Sequence, residues 1–76
     1  MANKYQIGII GAGMWGKTHI SMLQIEGRAA VTWVCDVNQA AAQTAADKFG
    51  VERVTQNYQD LLNDPALDAI VVASPP

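Results

Sequence analysis

The sequence has little cysteine, few basic residues and no long apolar run. Its single cysteine, Cys35, excludes an internal disulfide and a zinc site built from several cysteines. Five basic residues stand against seven acidic ones, which gives a net charge of −2. This balance lacks the basic patch that nucleic-acid binding requires, and it gives no signal for an anionic membrane. No run approaches the roughly 18 apolar residues of a membrane span.

What is present is a short and rather apolar chain. Half of its 76 residues are hydrophobic and 16% are charged, which indicates a globular chain rather than a disordered one. The length allows one domain at most. The first residues run directly into a strand pattern instead of a signal peptide, so we expect a cytoplasmic protein.

Strands and helices alternate along the sequence. Apolar runs rich in β-branched residues predict strands, and helical spacing with capping residues predicts helices. The predicted strands are 6–10, 31–35, 51–55 and 69–73, and the predicted helices are 14–26, 39–49 and 58–63. Asn38 is expected as an N-cap, and Trp33 is expected in the core. This alternation indicates parallel βαβ units, and the first half of a doubly wound sheet would have the strand order 3-2-1-4.

A glycine-rich turn links the first strand to the first helix, with the sequence Gly11-Ala12-Gly13-Met14-Trp15-Gly16. In a G-x-G-x-x-G turn, Gly11 allows the chain to leave the strand sharply, and Gly13 lets a pyrophosphate approach the backbone. Gly16 lets the helix pack closely on the strands. The free N–H groups at the start of the helix, those of Met14 and Trp15, would receive the phosphates. The turn therefore predicts a dinucleotide site.

An acidic residue, Asp36, lies 20 positions after Gly16, the last glycine of the turn, and directly follows the second strand. A carboxylate there can accept hydrogen bonds from ribose hydroxyls, and it would repel a 2′-phosphate. The three residues that follow it are Val37, Asn38 and Gln39, none of which is basic. We therefore predict NAD as the cofactor, with NADP less favoured.

Other interpretations of the turn remain open. A glycine turn without a ligand is the plainest of them. Methyltransferases that bind S-adenosylmethionine usually carry an acidic residue before the glycines, where this chain has Ile9 and Ile10. Flavoproteins usually have a small residue four positions after the third glycine, where this chain has Ile20. Both of these classes fit less well than a nicotinamide dinucleotide, and no metal site is predicted.

Three segments together resemble the N-terminal Rossmann domain of the Gfo/Idh/MocA family, named after glucose-fructose oxidoreductase and inositol dehydrogenase. They are the glycine turn with its strand and His19, the segment from Val34 through Asp36 to Val51, and the stretch 57–75. The resemblance implies an α/β fold, a Rossmann-like three-layer half-unit with flanking helices. It also implies that Ser74 and Pro75 lie near the nicotinamide end of the cofactor.

The resemblance implies an oxidoreductase that passes a hydride between a nicotinamide cofactor and a sugar, inositol or related polyol. The family's catalytic lysine, histidine and acid, and its C-terminal substrate domain, would lie beyond Pro76. We therefore expect residues 1–76 to be part of a dinucleotide-binding domain without catalytic residues, inactive alone. The alternatives are a nucleotide-binding module without chemistry and a non-functional remnant. The last predicted strand is an exposed edge, so self-association through it is also expected.

Overall fold

The computed structural model describes residues 4–73, which form four strands and three helices in alternation. In chain order these are β1 (Tyr5–Ile10), α1 (Met14–Glu26), β2 (Ala29–Cys35), α2 (Gln39–Phe49), β3 (Arg53–Thr55), α3 (Gln59–Leu62) and β4 (Ala69–Val72). The predicted elements are therefore confirmed, and both long helices have the predicted bounds. The third strand is shorter than predicted, because the Val51 amide donates to the Ala46 carbonyl at 2.9 Å and closes α2 instead.

The four strands form one parallel sheet in the order β3-β2-β1-β4, which confirms the predicted topology. The pairing of β1 with β2 is irregular at one point: Ile7 lies opposite Val31, but Gly8 lies opposite Trp33. Thr32 is therefore an extra residue in β2, a β-bulge that changes which side chains face each side of the sheet.

Helices α1 and α2 cover the same side of the sheet, which we call the helical face. Its core is apolar and contains Ile9 and Val34 from the strands and Ile20 from α1, each 0% exposed. From α2 it takes Ala42, Ala45 and Ala46, which are also buried. Because alanine side chains are small, α2 can lie close to the strands along this stripe.

The ends of the two long helices are set by capping residues, of which Asn38 was predicted. The Asn38 side chain accepts a hydrogen bond from the Ala41 amide at 3.1 Å and caps α2. Gly27 and Gly50 end α1 and α2 in the left-handed conformation, with φ of 87° and 70°.

The opposite side of the sheet, the far face, is covered by α3 and the segment that joins it to β4. Leu61 is 1% exposed and packs over Gly8. Trp33 also lies on this face, half-buried, and its indole N–H donates to a carboxylate oxygen of Asp64 at 2.8 Å. The prediction that Trp33 belongs to the core was wrong, because the bulge at Thr32 turns its side chain away from the helical face.

The Asp64 carboxylate links three groups on the far face. It accepts from Trp33, from the Ala66 amide at 2.9 Å and from the Arg53 guanidinium at 3.2 Å. The guanidinium also lies 5.5 Å from the centre of the Trp33 ring. The indole hydrogen bond, the Ala66 amide and the guanidinium charge hold the pKa of Asp64 below its ordinary value.

Within residues 4–73, the helices are too short or too polar to cross a bilayer. In the same part of the chain, histidine, cysteine and acidic side chains form no cluster of three or more that could hold a metal ion.

Candidate dinucleotide-binding site

The glycine turn and Asp36 meet at the carboxyl edge of the sheet. The turn follows β1 and Asp36 follows β2, and parallel neighbours end at the same edge. The Gly11 amide donates to the Cys35 carbonyl at 2.7 Å, which keeps the two chains paired up to the start of the turn. Gly11 then has φ of 105°, a conformation that L side chains rarely adopt. The two predicted parts of the site are thus brought together.

Gly16 is required by the packing of α1 against the turn. A Cβ placed on Gly16 would lie 1.8 Å from the Gly11 carbonyl oxygen. This neighbour is backbone and cannot move aside without moving the turn itself. The close approach of α1 to the end of β1, which the sequence pattern predicted for this glycine, is therefore present.

Gly13 differs from Gly16, because the position that a side chain would occupy at Gly13 is open space. A Cβ there would meet no atom within 4 Å, and its φ of −75° is one that any residue adopts. Gly13 is exposed and precedes α1 as its N-cap residue, without a side chain that could cap the helix. The fold does not need glycine at this position, whereas a group that approaches the backbone from outside would need it.

The first turn of α1 offers backbone donors at the same place. Met14 and Trp15 are its first residues, and the first intrahelical bond runs from the Lys17 amide to the Gly13 carbonyl at 3.0 Å. Amides before Lys17 have no partner within the helix by its geometry. The first turn itself contains no acidic residue that would neutralise the positive end of the helix dipole. This end of α1 is suited to an anion.

Asp36 is half-buried and hydrogen-bonded through both oxygens. One oxygen, Oδ2, accepts from the Ala12 amide inside the glycine turn at 2.8 Å. The other, Oδ1, accepts from the Asn38 amide, also at 2.8 Å. The sequence pattern predicted a carboxylate facing a ribose and missed its bond to Ala12. The signal was the acidic residue itself, since a strand end beside a glycine turn presents free amides.

The residues that directly follow Asp36 in the chain are neutral. Val37 is 86% exposed at the edge, and the Gln56 side chain holds its carbonyl at 3.0 Å. The Asp36 amide donates to the Thr55 carbonyl at 3.1 Å, so the end of β3 lies beside the end of β2.

Two predicted residues, Ser74 and Pro75, lie outside the described part of the chain. The described part of the chain ends at the edge of the glycine turn, because the Ala73 amide donates to the Ile10 carbonyl at 2.7 Å, directly before that turn. Cys35, at the end of β2, is buried, and burial raises the pKa of its thiol.

Residues 5–76 match the sequence model of the Gfo/Idh/MocA family, described as an oxidoreductase family with an NAD-binding Rossmann fold. The chain belongs to this family. The match confirms the predicted Rossmann-like fold, the oxidoreductase family and the assignment of NAD to this domain type.

Individual Gfo/Idh/MocA relatives agree with the family match. The chain is 43% identical to inositol 2-dehydrogenase of Acidothermus cellulolyticus over 70 residues, which are 91% of this chain and 20% of the relative. Among solved structures, GenD2 from gentamicin A biosynthesis in complex with NAD has a TM-score of 0.90 at 28% identity, covering 99% of this chain and 21% of that one. Myo-inositol dehydrogenase from Lactobacillus casei, in complex with NAD(H) and myo-inositol, has a TM-score of 0.87 at 34% identity, covering 93% and 22%.

The present Gfo/Idh/MocA chain thus spans about a fifth of the length of the relatives it matches. The shared part is the Rossmann half-unit that carries the glycine turn and Asp36.

Proposed function

We propose that this chain is the NAD-binding portion of an oxidoreductase that acts on a secondary alcohol of a sugar, inositol or related polyol. The observation that carries the proposal is the open backbone at Gly13 beside the Asp36 carboxylate, at one edge of a parallel sheet. NAD⁺ would take a hydride from the carbinol carbon while the hydroxyl proton leaves to a base and a C=O bond forms. This chain's residues would bind and orient the dinucleotide.

The pyrophosphate would lie over Gly13, at the start of α1. The open space there, the first-turn amides of Met14 and Trp15, which have no partner within the helix, and the helix dipole all favour an anion. Gly11 and Gly16 would act indirectly, because they fix the path of the turn and the closeness of α1.

Asp36 would hold the adenosine ribose. A carboxylate offers about four lone-pair positions, and the Ala12 and Asn38 amides occupy two of them. Two positions remain, which matches the two hydroxyls of a ribose. A 2′-phosphate would bring negative charge against this carboxylate, and the neutral residues after it offer no compensation. We therefore propose that NAD is preferred to NADP.

We propose that Ser74 and Pro75 line the nicotinamide end, a placement supported by the bond that ties Ala73 to the end of β1. Residues 1–76 would then form part of a dinucleotide-binding domain, and the acid–base residues and the substrate-binding part would lie outside them. The inositol substrates named for two relatives support a polyol. A cytoplasmic location is proposed because that compartment holds an NAD pool, and cell fractionation would test it.

The binding proposal is tested by titrating the chain with NAD and with NADP, followed by calorimetry and by amide chemical shifts. We expect weak, saturable NAD binding and weaker NADP binding. Gly13→Ala should reduce NAD affinity by about tenfold or more while leaving the circular dichroism spectrum unchanged, because the added methyl occupies open space.

Met22→Ala is a matched control, since Met22 is 63% exposed on the same helix away from the turn. A folded wild-type chain without any NAD-dependent shift at the glycine turn would overturn the proposal. An equal loss of NAD affinity in Gly13→Ala and Met22→Ala would also contradict the proposal, because the effect would then come from α1 as a whole.

We also propose that copies of this chain associate through β4. Within residues 4–73, β4 pairs with β1 alone, and Val72 on it is 68% exposed. Such an edge offers free backbone groups to another strand. Sedimentation should show assembly that increases with concentration and is lost in Val72→Lys. Ile25→Lys changes a side chain that is 81% exposed on α1 and should leave assembly intact. Assembly that survives Val72→Lys would contradict the proposal.

A further inference from the structure

Ala12 carries a backbone N–H that neither the sheet nor α1 uses. The residue lies between Gly11 and Gly13 and is 1% exposed. A buried amide needs an acceptor, since leaving it unpaired costs the free energy of its lost hydration. The acceptor here is the Oδ2 atom of Asp36, at 2.8 Å from the Ala12 nitrogen and 24 residues away in sequence.

The same carboxylate also fixes the start of the second helix. Its Oδ1 atom accepts from the Asn38 amide at 2.8 Å, and Asn38 is the residue whose side chain caps α2. One side chain thus joins the glycine turn before α1 to the cap of α2. An ionised carboxylate is suited to this because it only accepts hydrogen bonds, and bonds to a charged acceptor are the stronger kind.

We infer that Asp36 is a positioning residue for the glycine turn, and that it sets the turn's conformation before any dinucleotide is bound. Its influence would then reach the pyrophosphate end of the cofactor as well as the ribose. Glycines on both sides of Ala12 give the turn freedom, and the bond to Asp36 restricts it. A turn that is ordered in advance loses less entropy when a ligand binds.

The first test uses the chain without any ligand. In the wild type, NMR should detect a scalar coupling across the hydrogen bond, between the Ala12 amide nitrogen and the side-chain carboxyl carbon of Asp36. Asp36→Asn should accelerate hydrogen exchange at Ala12 or Asn38 by about tenfold or more, because an amide has one oxygen and cannot accept from both N–H groups in this geometry. Exchange at Ile9 and Val34 should not change, which shows that the fold is intact.

Asp60→Asn is the matched control, because it removes the same charge from the same edge without touching the turn. Its carboxylate accepts from the Thr55 hydroxyl. Absence of the coupling in the wild type would overturn the inference, and so would unchanged exchange at both amides in a folded Asp36→Asn chain. The coupling needs no variant, so a variant that failed to fold would still leave a decisive result.

The second test rests on the proposed function and uses inorganic pyrophosphate, which has no ribose. If Asp36 only contacts the ribose, Asp36→Asn should bind pyrophosphate as well as the wild type, or better, since a negative charge has been removed. If Asp36 positions the turn, the variant should bind it several-fold more weakly despite the lost charge. If the wild type shows the Ala12 coupling but does not bind pyrophosphate, the proposed phosphate site is refuted. The positioning role of Asp36 then still stands.

Discussion

The two faces of the sheet both depend on a glycine, but the glycines meet different neighbours. On the helical face, a Cβ on Gly16 would lie 1.8 Å from the Gly11 carbonyl oxygen, which is backbone. On the far face, a Cβ on Gly8 would lie 2.7 Å from a terminal methyl of Leu61, which is the flexible end of a side chain. The backbone oxygen of Gly11 cannot move aside without moving the turn, whereas the Leu61 side chain can change its conformation.

These two contacts indicate where the molecule is stiff. On the helical face α1 presses directly on the glycine turn, and small alanines bring α2 close to the strands. The far face is closed by a four-residue helix and by hydrogen bonds to one carboxylate. The candidate dinucleotide site is built on the stiff side, so changes there should cost more than matched changes on the far face.

The largest effect is expected for Gly16→Ala. Alanine is favoured over glycine in a helix by about 1 kcal/mol, yet here its methyl would overlap a backbone oxygen. We expect the chain to lose its folded state or to be destabilised by more than about 4 kcal/mol. Circular dichroism and thermal melting measure this, with Gly13→Ala as the control that keeps the fold. A Gly16→Ala melting curve close to that of the wild type would contradict the backbone contact.

The features that the sequence could predict are the local ones, and those that it could not predict depend on the folded sheet. The bounds of α1 and α2 were predictable because Asn38, Gly27 and Gly50 are local signals next to each helix end. The strand order followed from the alternation of elements. The meeting of Asp64 with Trp33, 31 residues apart, was not predictable, because it depends on the bulge at Thr32, and a bulge leaves no mark in an apolar run. The acidic residue at the strand end indicated an acceptor at this edge, but only the folded structure shows that the Ala12 amide is the group that donates to it.

Two large-to-small substitutions compare the cores of the faces directly. Ile20 on the helical face and Leu61 on the far face are 0% and 1% exposed. Either change to alanine should cost roughly 2–5 kcal/mol. We expect Ile20→Ala at the upper end, because tightly packed neighbours cannot fill the space, and Leu61→Ala lower, because the half-buried Leu67 can move in. Urea unfolding measures both, and a larger loss for Leu61→Ala would reverse the ranking of the faces.

A smaller effect is expected for Gly8→Ala, the far-face counterpart of Gly16→Ala. Its methyl would push against the tip of Leu61, and overpacking of this kind costs about 1–3 kcal/mol. The double variant with Leu61→Ala removes the obstacle, so its free energy of unfolding should fall by less than the sum of the single changes. Strictly additive losses would show that Gly8 and Leu61 do not interact.

The smallest effect is expected for Asp64→Asn, and it should depend on pH. The pKa of this carboxyl is lowered in the folded state, chiefly by the Trp33 indole hydrogen bond. Its stabilisation is therefore complete above the ordinary aspartate pKa of about 3.9 and is lost as the pH falls through the lower folded value. The wild type should be more stable than Asp64→Asn near neutral pH, and the two should converge in acid. Asp47→Asn, an exposed change on α2, is the control, and a stability difference that persists in acid would contradict the assignment.

The extra residue in β2 also bears on transplantation of this site into another protein. If β2 paired regularly, with Thr32 opposite Gly8, every later residue would move by one position, roughly 3.3 Å, and Asp36 would turn to the other side of the sheet. The carboxylate would then miss the Ala12 amide, although every residue of the glycine pattern would still be in place. A graft that copies only the glycines and the acidic residue would keep the sequence pattern but lose the geometry of the site. The segment to transplant is therefore the glycine turn together with β2 and its bulge at Thr32.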